Sequence, residues 1–458
     1  MANDGNRGRQ DGTSRNASSN RRRFLKATGL GATGLTAGLA GCTSPSDGDG
    51  GDGGDGGGGD GGDGGSGGGI PDVIRVGALG PAEAPFGASI LNSAELAAEE
   101  MNANDGIGGA DVEIVTGDTK DDPGTARQRY SEMTSGGEAV DATLGIFGSE
   151  QLLALLGNIA DKETVHLTAG AATPEAPQQL KEDFERFKYW FRVGPINATF
   201  LGDSLIQYAK NRFEDMGWER VAFLAEDYKW TEPVTATINN RLEDEAGVTL
   251  TSVRRIAEGT EDFSPIYDQL ESENVDGAFT SLAHIGSTSL VQWAKQQRPF
   301  GYGGIHVPTQ LPSYYAATEG AAISTFSQTT ATPTSEVTGQ TIPYAEAYNE
   351  AYDGFPVYSG YSAYDAMYML KEAVESAGTV NSDDIVAELE GLSYTGTSGQ
   401  LEFYGQGEEF PHDVKYGPEF AEGVYFQWQA DSEGNGSQQV IFPDSLATSE
   451  YQSPPWVQ

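Results

Sequence analysis

Apolar strand-like segments alternate with helix-like segments along most of this chain, and this alternation constrains its fold more than any other feature. The first strand-like segments lie at 73–79, 112–118, 142–147 and 164–170, and the helix-like segments at 89–103, Pro123 to Met133 and Gln151 to Asp161. Alternation of this kind predicts βαβ units, in which parallel strands form one sheet and helices cover its faces.

A second set of similar size begins after Pro195, with strands predicted at 219–227, 248–256 and 275–282. Two such sets predict an α/β fold with two doubly wound parallel-sheet lobes. We assign residues 71–195 and 325–395 to lobe 1, and residues 196–324 and 396–458 to lobe 2. A chain that returns to its first lobe crosses between the lobes more than once. Multiple crossings form a hinge, and hinged lobes close on ligands.

The first 41 residues have the pattern of an export signal that ends at a lipidation site. Arg21 and Arg22 precede Phe24, as in twin-arginine signals, and residues 39–42 resemble a lipobox in which Cys42 is lipidated. Residues 42–70 consist mostly of Gly and Asp, which predicts a flexible linker. We therefore expect a lipid-anchored protein on the extracellular face of the cytoplasmic membrane.

Composition excludes several classes of function. Cys42 is the single cysteine, so neither an internal disulfide nor a cysteine nucleophile in the folded body is possible. The 4 histidines form no HExxH motif, and we predict no metal site and no cofactor. The net charge of −41 opposes binding to nucleic acid or to an anionic bilayer. It indicates a halophilic protein, since concentrated salt screens such repulsion.

Five segments, taken in order, resemble the type I solute-binding proteins of ABC importers, in the leucine/isoleucine/valine-binding group. They are IRVGALGPAEAPFG (74–87), the stretch 97–128, HLTAGAATPEA (166–176), LAEDYKWTEP (224–233) and VYFQWQADSEG (424–434). The resemblance covers residues 73–442 and implies a fold like that of type I periplasmic binding proteins. It also implies an archaeal-type lipoprotein that captures a small polar solute, with a branched-chain or related amino acid as the first candidate. Its partner would be an ABC permease, and a monomer is expected.

Candidate ligand-binding residues of lobe 1 lie in loops that follow predicted strands, where open α/β sheets bind ligands. Ser149 and Glu150 begin a helix, so the Ser149 hydroxyl and nearby N–H groups suit a carboxylate. A simple helix cap is the alternative role of Ser149. The resemblance implies that backbone groups of Ala169, Gly170 and Ala171, with the Thr173 hydroxyl, hold the solute's carboxylate and ammonium. An ordinary strand-to-helix turn is the alternative there.

Candidates in lobe 2 are Tyr228, Trp230, His284 and Gln310, and the large aromatic side chain of Trp230 is expected to cover the solute. For Trp230 and His284, ordinary structural packing is the alternative. Phe86, in the first loop of lobe 1, packs either on the solute or in the core. No acidic residue stands at 305–315 to pair with an ammonium, so either another acid serves or the solute is not a simple α-amino acid.

Two other classes of function stay open. An enzyme is disfavoured, because the chain contains no GxSxG elbow, no phosphate loop and no metal-ligand spacing. A surface sensor with the same fold is the second class, since a fold does not determine a function. The solute itself is also open, with amides, urea and short organic acids as alternatives to amino acids.

Overall fold

The first sheet of this protein is parallel throughout. A computed structural model describes residues 69–457, so the predicted export signal and Cys42 lie outside the described residues. The strands are β1 (Val73–Gly80), β2 (Asp111–Asp118), β3 (Ala142–Gly145), β4 (His166–Thr168) and β5 (Trp190–Arg192), in the order β2-β1-β3-β4-β5. Leu79 lies opposite Gly145, which lies opposite Thr168, so the strands end at a common edge.

The helices of this half are α1 (Pro85–Asn102), α2 (Pro123–Met133), α3 (Ser149–Lys162), α4 (Glu175–Glu182) and α5 (Phe184–Phe187). Helix α2 begins where the Asp122 carboxylate accepts the N–H of Thr125 at 2.7 Å, which satisfies one free donor of the first turn. Helix α3 buries Leu152, Leu155 and Ile159, whose spacing of three and four residues forms one apolar face against the sheet.

The strands of the remaining chain are β6 (Arg220–Glu226), β7 (Thr249–Ile256), β8 (Gly277–Leu282), β9 (Gly301–His306), β10 (Phe326–Thr329), β11 (Ser393–Thr395), β12 (Gln400–Glu402), β13 (Val424–Ala430) and β14 (Gly436–Phe442). Strands β11 and β12 pair with each other, and the rest form a second sheet in the order β14-β13-β10-β9-β8-β6-β7. Its β6–β10 part is parallel, whereas β13 is antiparallel to both β10 and β14. The predicted α/β class with parallel sheets is therefore confirmed.

The helices of the remaining chain are α6 (Ala198–Met216), α7 (Thr231–Ala246), α8 (Ser264–Ser272), α9 (Gly286–Lys295), α10 (Tyr314–Ala317), α11 (Thr341–Tyr352), α12 (Tyr358–Ala377) and α13 (Ser382–Gly391), with a 3₁₀ turn at Val307–Gln310. Helix α12 packs along α1, so the chain returns to the first sheet after building most of the second. Within residues 69–457, none of these helices combines the length and the apolar character needed to cross a bilayer.

The predicted lobe boundaries stay a proposal. Two segments pair with a different sheet from the one that their assigned lobe would suggest. Strand β10 falls in the range assigned to lobe 1 but pairs with β9 and β13 of the second sheet. Asp413 falls in the range assigned to lobe 2 but forms a bridge with Arg192 of β5. Sequence patterns do not reveal which sheet a short buried strand joins, because both sheets bury their strands on two faces.

Candidate functional site

Loops that follow the strands of both sheets meet at one crevice. In the second sheet, Ala225 pairs with Ser281 and Leu282 pairs with His306, so the loops after β6, β8 and β9 leave from one edge. The crevice holds about 560 Å³ of space free of protein atoms, counting its open mouth.

The crevice lining is mostly apolar, with a few polar groups from each half. The apolar and aromatic members are Phe147, Ala172, Ile196, Leu201, Trp230, Ala283, Ile305, Val307 and Tyr358. The polar members and glycines are Gly148, Ser149, Glu150, Gly170, His284, Gln310, Gln328 and Thr330. Such a lining fits a small solute with an apolar body and few polar atoms.

The start of α3 supplies hydrogen-bond donors on the first-sheet side. Gly148 is the cap residue of α3, so the Ser149 hydroxyl does not serve as the helix cap. Ser149 is 3% exposed, and its Oγ accepts the N–H of Thr173 at 3.1 Å. The hydroxyl proton is therefore left to donate elsewhere. The first N–H groups of a helix also have no partner within the helix, and the helix dipole favours an anion there.

The loop after β4 uses most of its polar groups within the protein. The N–H groups of Ala169 and Ala171 donate to the carbonyls of Gly145 and Ile146, at 2.9 and 3.1 Å. The Thr173 hydroxyl accepts the N–H of Glu175 at 3.2 Å. Of the four residues that we predicted here, only Gly170 lies along the crevice. A Cβ at Gly170 would lie 2.9 Å from the Cα of Phe147, so this close approach requires glycine.

On the second-sheet side, a buried carboxylate organises the site. Glu226, at the end of β6, is 0% exposed. Its Oε1 accepts Trp230 Nε1–H and His284 Nδ1–H, both at 2.7 Å. Its Oε2 accepts the backbone N–H groups of Ala283 and His284, at 2.9 and 2.8 Å. Glu226 therefore fixes Trp230 and His284, two of the side chains that the second-sheet half presents to the crevice.

Glu226 and His284 form an ion pair. Burial by itself lowers the pKa of His284, but the hydrogen bond and charge of Glu226 outweigh burial, and the pKa is raised. Burial by itself raises the pKa of Glu226, but the bonds from His284 and the backbone leave that pKa lowered. The opposite shifts of the two pKa values favour an imidazolium paired with a carboxylate at the crevice wall.

Aromatic rings hold His284 in place from behind. Tyr228 stacks on the imidazole with ring centroids 4.2 Å apart, and Phe86 meets its edge at 5.7 Å. Phe86 also stacks on Phe147 at 3.8 Å. Phe86 and Tyr228 thus support the wall, and the predicted direct contact of these two rings with a solute stays a prediction.

Gln310 and Tyr358 connect the two sides at the base of the crevice. Gln310 Oε1 accepts the N–H of Tyr358 at 3.1 Å, and its Nε2 donates to the carbonyl of Gln328 at 3.2 Å. The Tyr358 hydroxyl donates to the carbonyl of Gly170 at 2.9 Å. Tyr358 begins α12, far along the chain from every predicted site loop, and sequence analysis missed it.

The mouth of the crevice is crossed by direct polar contacts. The N–H of Lys229, after β6, donates to Glu150 Oε1 of α3 at 2.9 Å. The Lys229 ammonium lies 2.9 Å from Glu175 Oε1 of α4. The two halves therefore touch at this edge.

The structure brings part of the predicted set together. The predicted residues that line the crevice are Ser149, Glu150, Gly170, Trp230, His284 and Gln310. The predicted residues that are not part of its lining are Phe86, Ala169, Ala171, Thr173 and Tyr228. The crevice residues Phe147 and Ile196 were not predicted, although they lie in the loops after β3 and β5. Among the described residues, no cluster of three or more His, Cys, Asp or Glu side chains is arranged to hold a metal ion.

Comparisons with known proteins agree with this architecture. The family model of the periplasmic binding proteins matches residues 73–418. Leu/Ile/Val-binding protein homolog 7 of Brucella abortus is 26% identical over 403 residues, covering 83% of this chain and 94% of the relative. A branched-chain amino acid transporter substrate-binding protein of Streptococcus pneumoniae, solved with isoleucine, has a TM-score of 0.67 at 17% identity. The alignment covers 81% of this chain and 100% of the S. pneumoniae chain. A solute-binding protein of Rhodopseudomonas palustris, solved with 3,4-dihydroxybenzoic acid, has a TM-score of 0.66 at 16% identity. The alignment covers 84% of this chain and 99% of the R. palustris chain.

Proposed function

The chain belongs to the periplasmic binding protein family, and from this membership we propose that it captures a small solute outside the cytoplasmic membrane and delivers it to the permease of an ABC importer. The observation that carries the proposal is the crevice lined from both sheets, with Lys229 and Glu150 in contact across its mouth. A solute that contacts both sides stabilises the closed arrangement, because it binds that arrangement better than an open one. The solute leaves unchanged, so the protein acts as a receptor and not as an enzyme.

Two classes of solute are candidates for the crevice. Branched-chain and related amino acids come first, because the B. abortus relative is named for them and the S. pneumoniae structure holds isoleucine. Short organic acids come second, because Ser149, the start of α3 and His284 supply donors that suit any carboxylate. Amides and urea are smaller neutral alternatives. These candidates differ in whether the solute carries both an ammonium and a carboxylate, a carboxylate alone, or neither.

Attachment and processing belong to the same proposal. We propose export of the folded chain by the twin-arginine route and lipid attachment through Cys42, with residues 42–70 as the linker. A surface sensor is the alternative role. The neighbouring genes distinguish the two roles, because permease and ATPase genes favour uptake and a signalling receptor gene favours sensing.

A thermal-shift screen of the full chain in molar KCl tests the proposed function. The panel contains amino acids, amides, urea and short organic acids. A true solute at about 100 times its dissociation constant adds about 2.7 kcal/mol to the free energy of unfolding and raises the unfolding midpoint. NMR of the recovered solute, unchanged after incubation, separates binding from turnover. A panel in which no solute raises the midpoint, or one in which the solute is converted, contradicts the proposal.

A further inference from the structure

The charged and polar groups near the crevice are unequal in kind, because its acids are already engaged by the protein whereas two of its side-chain donors are free. Glu226 is the buried carboxylate nearest to the site, and four N–H donors already fill its two oxygens. A carboxylate has about four lone-pair positions in all. Glu226 therefore has no position left for the ammonium of a solute.

Two other acceptors at the crevice are also engaged. The Gly170 carbonyl accepts the Tyr358 hydroxyl at 2.9 Å, and Gln310 Oε1 accepts the Tyr358 N–H at 3.1 Å. Glu150 is the one acid of the crevice lining. It lies exposed at the mouth, where its Oε1 accepts the N–H of Lys229. An ammonium inside the crevice would thus lose its water without gaining a buried acid, and this is costly.

Donors, in contrast, remain available. Ser149 Oγ accepts a hydrogen bond from Thr173, which leaves its O–H to donate. The Nδ1 of His284 is bound to Glu226, and its Nε2 lies 3.8 Å from the nearest carboxylate oxygen, Asp121 Oδ2. That separation exceeds a hydrogen bond, so Nε2–H is free to bind an anion. Glu226 favours the charged imidazolium, since its hydrogen bond and charge outweigh burial and raise the pKa of His284.

The walls between these donors are apolar. Phe147, Trp230 and Tyr358 provide aromatic surface, and Ile196, Ile305 and Val307 provide aliphatic surface. Trp230 Nε1–H and the Tyr358 hydroxyl proton are each used within the protein, so neither side chain donates to a solute, and both rings contribute apolar surface. An apolar body attached to one carboxylate matches this lining.

We propose that the crevice binds a monocarboxylate with a branched or aromatic apolar body and without an α-ammonium group, with Ser149 and His284 holding the carboxylate from opposite halves. This inference rests on the proposed function and selects among its candidate solutes. It assigns His284 a role in specificity, because its Nε2–H is a free donor on the second-sheet side while Nδ1 is held by Glu226.

Matched pairs of solutes test this inference by calorimetric titration of the full chain in molar KCl. The pairs are L-leucine with 4-methylpentanoate and L-phenylalanine with 3-phenylpropanoate, which differ only in the amino group. 4-Methylpentanamide serves as the uncharged control. In at least one pair the acid is expected to bind at least about tenfold more tightly than the amino acid, a difference of about 1.4 kcal/mol. Tighter binding of both amino acids overturns the inference and leaves the proposed function standing. A set in which none of the probes binds also overturns it, and the wider screen then decides the function separately.

Three variants connect the result to the residues. His284→Gln removes the charge and is expected to weaken binding of the acid about tenfold while leaving that of the amide unchanged. A structural defect would weaken both. Tyr358→Phe frees the Gly170 carbonyl and is expected to shift the ratio of affinities toward the amino acid. Glu113→Gln is the control, because its exposed carboxylate pairs with Arg75 and does not line the crevice; it is expected to bind both solutes like the parent, and weaker binding of the acid by this variant too would show that the loss in His284→Gln is not specific to the crevice.

Discussion

Arg192 and Asp413 form a buried ion pair that joins β5 to a segment more than two hundred residues away, with Nε 2.9 Å from Oδ1. The same guanidinium donates to the carbonyls of Ala171 and Thr173, at 3.3 and 2.9 Å. It therefore fixes the loop that carries Gly170 to the crevice. Asn197, at the start of α6, donates to the other oxygen of Asp413.

Arg192→Met is expected to reduce the free energy of unfolding by about 3–5 kcal/mol, because it leaves the Asp413 carboxylate buried and unpaired. Urea unfolding in molar KCl, followed by tryptophan fluorescence, measures the change. Arg186→Met is the matched control, since its side chain is 53% exposed and lies 3.6 Å from Asp161. The control is expected to unfold like the parent. Equal stability of both variants would show that the buried pair does not hold this junction.

Ser149→Ala and Trp230→Ala are each expected to lower solute affinity at least about tenfold. The first removes the hydroxyl at the start of α3, and the second removes crevice wall and one donor to Glu226. Calorimetric titration with the solute found by screening measures the loss. Ser376→Ala, whose hydroxyl donates to Glu388 on the exposed surface, is the control and should bind normally. Normal binding by both crevice variants would place the site elsewhere.

Affinity for a carboxylate is expected to depend on pH through His284. The folded pKa of His284 is raised above 6.5 by Glu226, Asp121 and Glu150. The imidazolium is thus present below that folded pKa, and affinity should fall as pH rises through it. The Glu226–His284 ion pair stabilises the folded state over the same pH range. Its contribution is complete below pH 6.5 and is lost as the pH rises through the folded pKa of His284. For Glu226, whose pKa is lowered from 4.5, stabilisation is present above 4.5 and lost as pH falls through the folded value.

Titrations of the parent and of His284→Gln across about pH 5 to pH 9 check this prediction. The parent should lose affinity for the acid as pH rises, whereas the variant should bind weakly and almost independently of pH. An affinity in the parent that rises with pH would contradict the assignment of His284 as the positive group.

Stability is expected to increase with salt concentration. The chain has 68 acidic and 27 basic residues, so repulsion among carboxylates opposes the compact state. Salt at molar concentration shortens the range of this repulsion to about 3 Å. The unfolding midpoint should therefore rise from dilute buffer to molar KCl. A midpoint that is unchanged or falls would argue against a halophilic protein.

Local sequence patterns could predict those crevice residues that stand in loops directly after apolar strands. Ser149, Trp230 and His284 stand in loops after apolar strands, and parallel strands bring such loops to one edge. Tyr358 could not be found in this way, because it lies 188 residues from Gly170, whose carbonyl it binds. The backbone groups near Ala171 looked available in the sequence, yet Arg192 occupies its carbonyl. Which polar groups remain free depends on distant partners, and sequence pattern does not contain that information.

A crystal structure of the full chain with the tightest-binding solute from the screen shows whether the crevice is the binding site. One solute is expected in the crevice, with its carboxylate within hydrogen-bond distance of Ser149 Oγ and its body against Trp230. A solute bound outside the crevice, or one that touches only one of the two sheets, would contradict this expectation.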